Sequence, residues 1–64
     1  MEDRSFTLFL EDDTGAAATF EIVFCPDEAA AKDRAVDLLD DRPRYRAVEV
    51  FDGKRSFRVE RPQA

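Results

Sequence analysis

The sequence predicts an α+β domain in the order β-β-α-β-β, with one four-stranded, mostly antiparallel sheet carrying a single helix on one face. Three observations predict it. Asp52-Gly53 stands between the alternating runs 45–51 and 54–59; the aromatic-rich runs 5–10 and 19–24 flank the polar stretch Glu11-Asp12-Asp13-Thr14-Gly15; and Pro26-Asp27-Glu28 opens an alanine-rich segment that closes before Pro43. The expected bounds are a hairpin over 4–24, a helix over 26–41 and a hairpin over 44–60, all within one small domain spanning 1–64.

The first hairpin rests on two short runs of aromatic and branched residues, the composition that suits a pleated, half-buried surface. Its loop is too long to set a register, so burial is expected to select one. Leu8 opposite Phe20, Phe6 opposite Ile22 and Leu10 opposite Ala18 collect the large side chains on one face, whereas a slip of one residue would put Phe20, Ile22 and Phe24 into water. Thr7, Phe9, Thr19, Glu21 and Val23 then share the other face.

Pro26 suits a first helical position, where its missing N–H costs nothing, and Asp27 and Glu28 fall in the positive first turn. Cys25 is then the expected N-cap. Ala31, Ala35, Leu38 and Leu39, with Val36 at the margin, form an apolar stripe, and Pro43 obliges the helix to stop near Arg42. Asp40 and Asp41 sit unfavourably at its negative end.

Asp-Gly between alternating runs is a hairpin signal, because a two-residue type I′ turn needs positive φ at both central positions. Under that turn Phe51 faces Lys54, Val50 faces Arg55, Val48 faces Phe57 and Arg46 faces Val59. Val48, Val50, Phe57 and Val59 therefore point to the core. Tyr45, Ala47 and Phe51 fall on the opposite face with Glu49, Arg58 and Glu60. Strand order does not follow from these patterns: strands 2 and 3 can be neighbours, or strand 1 or 4 can intervene.

At 64 residues the chain buries only about 60% of the surface its unfolded form exposes, so an additional source of stability is expected. One cysteine and no histidine exclude an internal disulfide and the usual zinc ligand sets. Self-association remains. No apolar run approaches a membrane span, the opening Met-Glu-Asp-Arg-Ser lacks the order of a secretory signal, and the expected location is cytosolic.

The net charge of −5 is split. Residues 1–41 carry twelve acids against Arg4, Lys32 and Arg34, whereas residues 42–64 carry seven basic groups against Glu49, Asp52 and Glu60. The simplest reading is an acidic half lying beside a basic one in a fold that neutralises itself. Nucleic acid is not the expected partner, since phosphate binding relies on clustered Lys and Arg and alternation divides Arg42, Arg44, Arg46, Arg55, Arg58 and Arg61 between faces.

The candidate site is the face without the helix. Phe9, Val23, Tyr45 and Phe51 gather there among Glu49 and Arg58, and several aromatics on one sheet face form the kind of patch that marks an interaction surface. A homodimer through this face is the leading expectation; a monomeric adaptor that binds another protein through the same face or the basic second hairpin is the alternative. Cys25 is the one candidate for thiol chemistry, at a helix N-terminus that favours a thiolate, yet no histidine can serve as base and no second cysteine can resolve an oxidised form. Glu11-Asp12-Asp13-Thr14-Gly15 lacks the alternating acids and downstream Glu of a calcium loop, and no glycine-rich phosphate loop exists. No cofactor and no catalytic residue is expected.

Overall fold

The computed structural model describes residues 3–61; residues 1–2 and 62–64 of the expected domain lie outside the described residues. The order is β1 (Arg4–Glu11), β2 (Ala17–Cys25), α1 (Glu28–Asp41), β3 (Ala47–Phe51) and β4 (Ser56–Glu60). The strands form one antiparallel sheet in the order β2-β1-β3-β4. Strand β1 thus intervenes between β2 and β3, and α1 lies across β3, β2 and β4 on one face. This is the expected α+β architecture.

The core is built from alternate residues. Phe6, Leu8 and Leu10 of β1, Val48 and Val50 of β3 and Leu39 of α1 are wholly or almost wholly buried, with Ala31 and Ala35 letting the helix approach closely. Val59 is buried beside them and Phe57 packs against the cluster.

The first hairpin corrects the expected register. Leu8 pairs with Glu21, Phe6 with Val23 and Phe9 with Phe20, one residue away from the expected partners. The cause is local: Glu11 pairs with Ala17, which is the expected register, but an irregularity between Leu10 and Glu11 shifts every pair beyond it. A bulge of one residue inverts a strand of period two. Val23 and Cys25 therefore enter the core, while Phe20, Ile22 and Phe24, expected inside, stand 56%, 57% and 69% exposed on the helix-free face. Thr19 and Glu21 move to the helix side, where Glu21 meets Arg42 at 2.8 Å.

The second hairpin also differs, by two residues. Phe51 pairs with Ser56, Val50 with Phe57 and Val48 with Val59, so residues 52–55 form a four-residue loop. Only Gly53, at φ 100°, has positive φ there, which rules out the type I′ turn. Instead Asp52 Oδ1 accepts from the N–H groups of Lys54 and Arg55, both at 2.9 Å. Burial explains the choice: a two-residue turn would set Arg55 against buried Val50, whereas the longer loop sets Phe57 there and frees Arg55 to grip Glu28 at 3.0 Å. Because the slip is even, the expected faces of residues 47–51 and 56–60 survive.

The helix begins two residues later than expected. Asp27 is the N-cap, with extended backbone and its Oδ1 accepting from Ala30 N–H at 2.9 Å. Cys25 is the last residue of β2 and Pro26 precedes the cap. At the other end Arg42 N–H donates to the Leu38 carbonyl at 3.0 Å. No basic residue occupies the last turn. Arg61, just after β4, supplies that charge: its guanidinium donates to the carbonyls of Leu39, Arg42 and Tyr45.

Candidate interaction face

The helix-free face reads as rows across the sheet. Ile22, Thr7, Phe51 and Ser56 make one row; Phe20, Phe9, Glu49 and Arg58 make the next; Glu11, Ala47 and Glu60 make a third. Phe24 lies beyond the first, beside Ser5. The face is therefore divided. Its apolar part runs from Phe20, Ile22 and Phe24 of β2 through Phe9 to Phe51 of β3, with the Phe9 and Phe20 rings 6.1 Å apart and tilted by 44°, and its charged part gathers Glu11, Glu49, Arg58 and Glu60.

Geometry also organises the charged side. Arg58 holds Glu11 at 2.6 Å and Glu60 at 2.9 Å. Those two carboxylates flank Ala47 in the neighbouring strands, so the guanidinium spans Ala47 and leaves it 1% exposed. Hydrogen bonds to Glu60 and then Glu11 raise the Arg58 pKa further above its ordinary value. Glu49 lies opposite Arg58 in the ladder, but the side-chain bonds of Arg58 run to Glu11 and Glu60 instead.

Of the expected face residues, the structure brings Phe9, Phe51, Glu49 and Arg58 together on this surface. Val23 and Tyr45 are corrections. Val23 is buried under the helix through the register inversion, and Tyr45 is 7% exposed within the core cluster. The turn after α1, closed by Tyr45 N–H to the Arg42 carbonyl at 3.2 Å, carries that ring into the core, with the Arg44 guanidinium 5.8 Å from it. Phe20, Ile22 and Phe24 are the face residues that sequence reasoning assigned to the interior. The only signal for them was that both faces of residues 22–25 are apolar, with Ile22 and Phe24 on one and Val23 and Cys25 on the other.

Cys25 is free and buried. In the loop 11–15, Asp12 Oδ1 accepts from Thr14 N–H at 2.9 Å and from its hydroxyl at 2.6 Å, and no metal-binding group of side chains occurs among the described residues. Arg42, Arg55, Arg58 and Arg61 are engaged with Glu21, Glu28, Glu11 and backbone carbonyls within the chain. The basic second half thus neutralises carboxylates of the acidic first half. Among the described residues, no helix is long and apolar enough to cross a membrane.

The chain matches no family model, no curated protein and no solved structure.

Proposed function

We propose that this chain is a small, non-enzymatic interaction domain that associates with a second copy of itself, using the apolar side of its helix-free face. The observation that carries this reading is the cluster of Phe20, Ile22, Phe24 and Phe51, each large, apolar and well exposed on that face. Scattered exposed apolar residues are ordinary; a contiguous group on one sheet face is a mark of an interaction surface. The charged side, held by Arg58, then serves as a rim. A chain without histidine whose single thiol is buried offers little to general acid–base or nucleophilic chemistry.

A second reading keeps the surface and changes the occupant: β2 is a sheet edge, and edges accept an extended segment of another protein. Light scattering coupled to size exclusion over a dilution series separates the two. A mass of two chains that falls to one in Phe20→Asp/Phe24→Asp, with the circular dichroism spectrum retained, supports self-association. A wild-type monomer at every concentration overturns it and leaves the adaptor.

A further inference from the structure

We propose that β2 pairs antiparallel with β2 of a second copy, about a two-fold axis at Ile22, to continue the sheet to eight strands. The proposal rests on the self-association reading and names its geometry.

The two edges of the sheet differ. Strand β4, only five residues long, carries Arg58 and Glu60, the short and charged form in which proteins protect an edge. Strand β2 runs for nine residues, AATFEIVFC, without proline, glycine or lysine. Its one charge, Glu21, is taken by Arg42 of the same chain at 2.8 Å. One edge is guarded and the other is open.

The open edge is also self-complementary. On the helix-free face β2 presents Phe20, Ile22 and Phe24, a pattern that reads the same in both directions. With Ile22 opposite its own copy, each Phe20 meets the other chain's Phe24, and aromatic cross-strand pairs of this kind stabilise antiparallel sheets. Thr19 and Cys25 delimit the paired stretch, since Pro26 ends the strand. A two-fold axis maps this triad onto itself, which an unrelated peptide has no reason to do.

Exposure follows the same logic. Side chains on an edge strand have a neighbouring strand on one side only, and the three β2 residues are more exposed than Phe51 of inner strand β3, at 39%. Pairing supplies the missing neighbour. Because both outer edges of the resulting eight-stranded sheet are β4, growth stops at two copies.

The test uses the full chain as an equal mixture of carbon-13-labelled and unlabelled protein, with the mass measured on the same sample. The expected result is a two-chain mass with isotope-filtered contacts between backbone protons of 19–25 in different chains. Raised salt should tighten this dimer, because it screens two chains of net charge −5. A dimer whose interchain contacts join Phe9 and Phe51 without any β2 backbone contact overturns edge pairing and leaves self-association standing. A one-chain mass overturns both.

Discussion

Arg61 donates from its guanidinium to the carbonyl of Leu39, joining the residue after the last strand to the last turn of the helix. The same nitrogen reaches the carbonyls of Arg42 at 3.0 Å and Tyr45 at 2.6 Å. A helix that ends in Asp40-Asp41 with no basic residue in its final turn thereby receives a cation from elsewhere in the chain. Replacing Arg61 by Ala should cost about 2 kcal/mol, the scale of a charged hydrogen bond whose partners are left unsatisfied. Arg61→Lys keeps the charge but loses the fork, so it should recover only part of that loss in urea denaturation.

Neighbouring residues of β2 should respond in opposite ways. Val23→Asp places an unpaired carboxylate in the core and should destabilise by about 3 kcal/mol or more. Phe24→Asp alters a side chain that is 69% exposed and should change monomer stability by no more than about 0.5 kcal/mol. Denaturation at dilution, where one-chain species dominate, makes the comparison. Equal losses would contradict the register.

Removing the N-cap tests the other end of the helix. Asp27→Ala deletes the acceptor for Ala30 N–H and should cost about 1 kcal/mol, while Asp27→Ser should retain most of the stability. Thermal denaturation monitored by circular dichroism reads both variants.

Acid should weaken the fold through its two turn aspartates. N–H bonds from Arg55 and Lys54 lower the pKa of Asp52, and the hydroxyl and N–H of Thr14 lower that of Asp12. A carboxylate whose folded pKa lies below its unfolded value of about 3.9 contributes stability that is fully present above that value. The contribution is lost as pH falls through the lower, folded pKa. Asp52→Asn should therefore flatten the acid limb of stability against pH, and an unchanged limb would remove Asp52 from this role.

Element order, the helix stripe and the faces of the second hairpin were legible because each rests on a local pattern that tolerates small errors. The slip at Asp52-Gly53 was even, so Val48, Val50 and Val59 stayed in the core. The first hairpin had no such protection. Phe20, Ile22 and Phe24 alternate with Val23 and Cys25, both sets are apolar, and preferring the bulkier set for the interior chose the wrong one. The deciding feature is an irregularity at Leu10–Glu11, which no residue type there announces. Arg61 was equally hidden, since its partners are backbone carbonyls brought near only by the tertiary fold.

That irregularity makes one position of the first hairpin dispensable to its pairing. Deleting Ala18, the extra residue, would make Glu11–Ala17 and Leu10–Thr19 successive rungs and leave every later pair as it is, so Phe20, Ile22 and Phe24 would stay outside. A deletion within 20–24 meets no such slack and would carry the side chains beyond it to the opposite face. Among variants of this chain, a single-codon deletion at Ala18 should thus leave sociability almost untouched, whereas the same loss two or three residues further along should abolish it.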